Sequence, residues 1–383
     1  MASVSGIVRA PQLKLTDKIW RLHTGFILLL LIIGLVGYGM LYSAAGGEHS
    51  PWAWRHAVRF ALGLGVMIIV ALIDIRIWFR FAYWIYGLAF LALGAVELVG
   101  SLNKGAQRWI DLGIIQVQPS EVMKIALVLA LARFFHSAYL EEVKRPLFLT
   151  VPLLLTLVPA ALVLKQPDLG TAIMLLAGAG AIFFLAGVRW WKFAAVIGAA
   201  AAALPIIWQQ LHDYQRQRVL TFLNPERDPL GAGYHIIQSK IALGSGGVWG
   251  KGFLGGTQSQ LSFLPEKQTD FVFTMLAEEA GLVGGLSLIS LYMAVFLLGL
   301  LFAARARSQF ARLLTAGVSI TFFLYVAINV AMVTGLIPVV GVPLPLVSYG
   351  GTAMLTVMFG CGLMLSVEVH QEVAIHRFPT DDW

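Results

Sequence analysis

Apolar runs of roughly 20 residues, the length an α-helix needs to cross the hydrocarbon core of a bilayer, recur along this chain between short polar connections. The pattern predicts about ten helices, near 24–43, 57–74, 79–99, 119–136, 147–164, 170–187, 192–208, 271–302, 313–335 and 348–367. The eighth is long enough to contain a break or to extend beyond the bilayer. One connection departs from the rest: residues 209–270 are too polar to lie in lipid and form a long loop between the seventh and eighth helices. The expected fold is therefore an all-α integral membrane protein with a single polytopic domain.

Charge placement orients it. With the N-terminus inside, the cytoplasmic segments hold Arg9, Lys14, Lys18, Arg21, Arg76, Arg80, Arg133, Lys144, Arg145, Arg189, Lys192, Arg305, Arg307, Arg312 and Arg377, and the short outer segments hold fewer cations. That is the positive-inside pattern. Both termini are then cytoplasmic, and the 209–270 loop is extracytoplasmic.

Composition agrees with the pattern. The chain is 58% hydrophobic and only 12% charged, against about 25% charged in soluble domains. Its net charge of +7 is scattered between the spans, not gathered into a stripe for nucleic acid. The single cysteine, Cys361, excludes an internal disulfide and a cysteine metal cluster. The basic N-terminus before the run at 26–41 could mimic a signal peptide, but the run is longer than a usual h-region and matches the later spans, so it is read as a retained first helix. There is no phosphate-cradling Gly-x-x-x-x-Gly-Lys-Ser/Thr loop and no His-Glu-x-x-His pair, which argues against ATP use and zinc hydrolysis.

The polar residues gather in four clusters, all on the outer side of this topology. The first contains Lys104, Arg108, Trp109 and Asp111, and then Gln118-Pro119-Ser120-Glu121 leading to Lys124. The second is Lys165-Gln166-Pro167-Asp168-Leu169-Gly170-Thr171, and the third is the long loop, ending Glu266-Lys267-Gln268-Thr269-Asp270. The fourth runs from Thr334 to Pro338 and then through Ser348-Tyr349-Gly350-Gly351-Thr352. Asp270 ends the polar loop at the mouth of an apolar span, where an acid is costly. A base there could meet a lipid-linked substrate at the edge of water. Each cluster also has a plainer reading: Pro119, Ser120, Asp168 and Thr269-Asp270 could all serve helix starts. Arg108-Trp109 suits an interfacial anchor, and Tyr234 and Trp249 could anchor the loop on the membrane. Polar placement alone leaves open an enzyme, a lipid transporter and a scaffold. A transporter usually carries ionisable residues near the midplane; Glu97, Glu121 and Asn329 are the positions to watch, and no mid-membrane pair is evident among them.

These segments together resemble the SEDS family (shape, elongation, division and sporulation). The matching stretches are 105–113, 118–121, 166–172, 265–271, Ala277-Glu278-Glu279-Ala280-Gly281-Leu282-Val283-Gly284 and 345–351, spread over nearly all the spans in family order. Gly255-Gly256-Thr257-Gln258-Ser259-Gln260-Leu261 looks like the elongation branch. Gln268 departs from the histidine the family pattern has before Thr269-Asp270.

The resemblance implies a peptidoglycan glycosyltransferase. Such an enzyme polymerises lipid II into β-1,4 glycan outside the cytoplasmic membrane, beside a class B penicillin-binding protein and other elongation-complex proteins. Asp270 matches the family's essential acid, and Trp109 and Arg108 match positions the family needs. On this basis Asp270 is expected to take the proton of the acceptor hydroxyl. Lys104, Arg108, Lys124, Lys165 and Lys267 are candidates to hold the pyrophosphate, and Ser348 is a further substrate-binding candidate. A divalent cation, Mg or Mn, could share the phosphate work. The fold would open sideways to lipid, because the substrate carries an isoprenoid tail. The competing function is a lipid II flippase.

Overall fold

The computed structural model of the chain describes residues 14–103, 106–111, 113, 116–210, 216, 220–222, 224, 232–261, 263–264, 266–373 and 375. A helix stands at each of the ten expected positions. They are α2 (Thr24–Ala44), α3 (Ala53–Leu72), α4 (Ile75–Val99), α5 (Pro119–His136), α7 (Thr150–Lys165), α8 (Leu169–Leu185), α9 (Trp190–Gln210), α12 (Val272–Arg305), α13 (Gln309–Val333) and α14 (Gly351–Val369). Short helices α1 (Leu15–Trp20) and α6 (Leu140–Lys144) precede α2 and α7. Among the described residues, α2, α3, α4, α12, α13 and α14 are long and apolar enough to cross a membrane, and α7, α8 and α9 are shorter apolar helices. The chain is a multi-pass membrane protein.

The helical fold carries one small addition. Between α4 and α5 the chain forms a small antiparallel sheet, β1 (Ser101–Asn103), β2 (Ala106–Asp111) and β3 (Gln116–Val117), in sequence order. The first polar cluster is thus a folded hairpin platform. Gly113, at φ +83°, turns the chain after β2, and the Asp111 carboxylate accepts the Gly113 N–H at 2.8 Å. A left-handed residue is inexpensive only for glycine.

The described part of 209–270 is also more ordered than a surface loop. Helix α10 (Ala232–Ser245) packs on α12 and α13, and α11 (Thr257–Gln260) follows it. Ser239 is fully buried and joins Thr274 of α12 at 2.8 Å and the carbonyl of Val333 at 2.7 Å.

The eighth expected span does contain a break. Helix α12 runs for 34 residues, but Gly281 inside it lies at φ 66°, ψ −164°. The break is sealed by main chain from the preceding loop. Lys251 N and Gly252 N donate to the carbonyls of Glu278 and Glu279, and Leu282 N and Val283 N donate to those of Gly247 and Val248. Residues 282–305 then measure roughly 36 Å, enough for one crossing. The half-helix 272–280 is left to carry polar groups.

Helix α13 stands at the centre, packed by α5, α8, α12 and α14, and α14 is the most buried of the long spans. Close helix approach follows from small residues. At Gly37 of α2 a Cβ would fall 2.6 Å from the carbonyl oxygen of Leu346, so only glycine lets the 346–348 turn sit against this helix.

Candidate active site

Asp270 closes a turn in which Thr269 N and Phe271 N both donate to the carbonyl of Glu266. Glu266 sits at φ +51°, a conformation non-glycine residues rarely adopt. The N-cap position of α12 falls on Phe271, so Asp270 stands one residue outside it.

Three main-chain anchors hold the turn. Asn329 of α13 is fully buried and its Nδ2 donates to the carbonyl of Asp270 at 2.9 Å and to that of Val342 at 2.7 Å. The Ser348 hydroxyl donates to the carbonyl of Thr269 and accepts Leu344 N at 2.8 Å. Tyr349 N donates to the carbonyl of Gln268 at 2.8 Å. The 342–349 segment is itself strained, with Leu346 at φ +62°. Strain of this kind persists where surrounding contacts over-determine the backbone, often at functional sites.

The second polar cluster reaches the same place. A Cβ at Gly341 would sit 3.5 Å from Oδ2 of Asp270, so this glycine borders the carboxylate. A Cβ at Gly170 would lie 2.8 Å from the carbonyl of Val340. The 166–171 segment thus backs onto the wall beside Asp270. Asp168 caps α8, accepting Thr171 N at 3.2 Å, and takes Gln118 Nε2 at 3.1 Å. Its capping role is real.

Arg108 of β2 is half-buried and clamps this segment, donating from Nε to the carbonyl of Gln166 at 2.9 Å and from a terminal nitrogen to that of Pro167. A guanidinium has five N–H groups, so the clamp leaves others for an anion. Trp109 follows it on the strand, half-buried.

The remaining candidate cations sit differently. Lys124 is buried, pairs with Glu121 at 2.7 Å, and lies 4.2 Å from the centre of the Tyr325 ring. The Tyr325 hydroxyl donates to the same carboxylate. The i, i+3 spacing on α5 lets Glu121 and Lys124 meet, and it is their burial against Tyr325 that the chain pattern did not reveal. The pair lies in the first two turns of α5, not at mid-helix. Tyr325 and Asn329 are four residues apart on α13 and so share a face, which links the ion pair to the Asp270 turn.

Lys165 pairs with Glu97 at 3.0 Å and is mostly exposed. Lys267 donates to the carbonyl of Ser259 at 2.7 Å. Burial pulls its ammonium below the usual lysine range, against the opposing charge of Glu279. Lys104 lies outside the described residues. Ser348 is 3% exposed and its hydroxyl already has two protein partners, so the structure gives it an anchoring contact in place of a free substrate-facing one. Ser120 is buried within the first turn, where Gln118 is the N-cap and Pro119 opens the helix.

Sequence reasoning did not find Tyr325 or Gln118 as site residues. Tyr325 sits in an apolar run, where a lone hydroxyl carries no pattern. Among the described residues no three His, Cys, Asp or Glu side chains gather to hold a metal ion. A magnesium ion shared with substrate phosphates needs only one or two carboxylates.

Comparison with known proteins places this arrangement. Residues 21–373 match the family model of FtsW, RodA and SpoVE, described as a cell cycle protein. The chain is 46% identical over 357 residues to the peptidoglycan glycosyltransferase MrdB of Escherichia coli K12, covering 92% of this chain and 95% of that one. It is 36% identical over 327 residues to a probable peptidoglycan glycosyltransferase FtsW of Coxiella burnetii, covering 83% and 86%. Among solved structures, a chain of a peptidoglycan synthase complex superposes with a TM-score of 0.80 at 35% identity, covering 91% and 98%. The rod shape determining protein RodA of Thermus thermophilus superposes with a TM-score of 0.70 at 29% identity, covering 92% and 98%. The chain belongs to the FtsW/RodA/SpoVE family.

Proposed function

We propose that this protein is a peptidoglycan glycosyltransferase that polymerises lipid II into β-1,4 glycan strands, with Asp270 as general base. One observation carries the reading. Asp270 is an acid on a turn anchored through the main chain by Asn329 and Ser348, and Oδ2 of its carboxylate borders the wall at Gly341.

In the reaction the 4-hydroxyl of the acceptor GlcNAc loses its proton to the Asp270 carboxylate. Its oxygen forms a bond to the anomeric carbon of the donor as the bond from that carbon to pyrophosphate breaks. The electron pair leaves with the lipid pyrophosphate, and a single displacement of an α-linked donor gives a β linkage. Pyrophosphate needs charge stabilisation more than a proton, so one carboxylate with cations suffices, unlike the two carboxylates of glycosidases. Arg108 is the best-placed cation, because its fork is fixed by two carbonyls and can still bind phosphate. Lys267 has further N–H groups beyond its bond to Ser259. A divalent cation held with the pyrophosphate would neutralise charge on the leaving group.

An apolar groove of about 280 Å³, lined by Val117 of β3 and by residues of α3, α4, α5 and α14 including Val66, Ile85, Ile125, Thr356 and Phe359, supports binding of a lipid tail. The active face is extracytoplasmic, both termini are cytoplasmic, and the membrane is the bacterial inner membrane. Residues 209–270 form the extracytoplasmic segment of a single domain. Because the superposed synthase complex is described as coordinating polymerisation and crosslinking, a class B penicillin-binding protein is the proposed partner.

Polymerisation of labelled lipid II by purified protein, with its transpeptidase partner, tests the reading through Asp270→Asn. The buried Glu121–Lys124 pair is the one feature that favours a flippase. Lipid II crossing liposome bilayers, with no glycan made under any partner or metal condition, would select that alternative.

A further inference from the structure

Glu278 is fully buried on the half-helix 272–280, eight residues after Asp270, and substrate chemistry gives it no task. Its carboxylate is nevertheless saturated. Oε1 accepts Lys251 Nζ at 2.8 Å, the Thr257 hydroxyl at 3.2 Å and Gln258 N at 2.9 Å, and Oε2 accepts Ser259 N at 3.2 Å. Gln258 N and Ser259 N are N-terminal N–H groups of α11, whose own N-cap, Gly256, has no side chain to satisfy them. A buried carboxylate is costly unless paired and fully hydrogen-bonded, and here both conditions are met.

What this carboxylate orders is the path into Asp270. Phe263 N and Leu264 N donate to the carbonyl of Gln258 at 3.1 and 3.2 Å. Lys267 Nζ donates to the carbonyl of Ser259 at 2.7 Å. The turn of Glu266 to Phe271 then carries the acid. The half-helix therefore grips its own leading loop at both ends, through the anchored Asp270 turn and through Glu278. We infer that Glu278 is a positioning residue for Asp270, holding the base through residues 257–267 without touching substrate. The inference rests on Asp270 being the base.

The test compares the full-length protein, assayed with its transpeptidase partner, as wild type, Glu278→Gln, Gly256→Ala and Asp270→Asn. A glutamine keeps the shape but removes the charge opposite Lys251 and leaves one acceptor oxygen in place of two, with an NH2 donor facing one of the backbone N–H groups. Gly256→Ala keeps every charge, but its Cβ would fall 2.9 Å from Oε2 of Glu278 and 2.3 Å from the Ser259 hydroxyl, displacing the cap from the other side. Both variants should lower kcat for glycan synthesis roughly 10²-fold, the cost of about 1 Å of misplacement, with KM for lipid II unchanged and activity counted per folded molecule. Wild-type kcat in Glu278→Gln, or a loss that only follows the folded fraction, overturns the role of Glu278 while Asp270→Asn stays inactive. Wild-type activity in Asp270→Asn instead overturns the base assignment itself, whatever Glu278→Gln does.

Discussion

The side-chain amide of Asn329 holds the main chain of Asp270, donating to its carbonyl at 2.9 Å while bridging to Val342 at 2.7 Å. A polar residue in the last two turns of a central apolar helix thereby fixes an acid that lies 59 residues earlier in the chain. Asn329→Ala leaves two carbonyls without that donor, a cost of about 1–3 kcal/mol for each buried one. Polymerisation should fall by up to roughly 10²-fold as the base loses its register. Thermal unfolding and initial rates, measured on the same preparation, check both. A variant with unchanged rate would show that the anchor is dispensable.

Arg108 and Lys165 make a contrasting pair. Arg108→Lys keeps the charge but loses the fork across the carbonyls of Gln166 and Pro167, and a lysine at a two-point contact is not conservative. Donor use should drop sharply. Lys165→Ala removes a mostly exposed ion pair with Glu97, and its stability effect should stay within about ±0.5 kcal/mol. Rates across a range of lipid II concentrations distinguish the two.

The break in α12 tests the backbone. At Gly281 a Cβ would stand 2.4 Å from both Gly250 N and the carbonyl oxygen of Val248, at a φ of +66°. Gly281→Ala is expected to lower the thermal midpoint and to open the 247–252 loop to protease. A midpoint equal to wild type would mean the break tolerates repacking.

Lys267 gives a pH signature. Burial depresses its ammonium below the ordinary value of 10.5, and the nearby Glu279 only partly opposes this. Between the depressed native value and 10.5 the unfolded chain holds a proton that the folded chain has lost. Stability therefore rises with pH across that window and carries the full penalty below it. Lys267→Gln should remove this slope from a series of unfolding measurements at alkaline pH. An identical slope in wild type and variant would reject the cause.

Much of the fold was legible because lipid enforces a simple pattern: apolar runs of spanning length located all ten helices, and the length of the eighth hinted at the break that Gly281 makes. The β1–β3 platform was not legible. Ser101 to Val117 has a few strand-forming residues among polar ones, and only pairing in space turns them into a sheet. For the site, Asp270 stood out as an acid at the edge of an apolar span. The anchoring duty of Ser348, the packing of Tyr325 on the Glu121–Lys124 pair and the cap made by Glu278 depend on contacts between distant segments, which local spacing does not encode. Lys124 and Lys165 look alike as cations in the chain, yet one is buried against Tyr325 and the other is exposed beside Glu97.

The most direct measurement is glycan synthesis from labelled lipid II by Asp270→Asn, purified as wild type and supplied with the same transpeptidase partner. Removing a positioned base should cost about 10²–10⁴-fold in rate, with lipid II binding and thermal midpoint retained. Glycan strands made at the wild-type rate by a variant that still binds lipid II would contradict the assignment of Asp270.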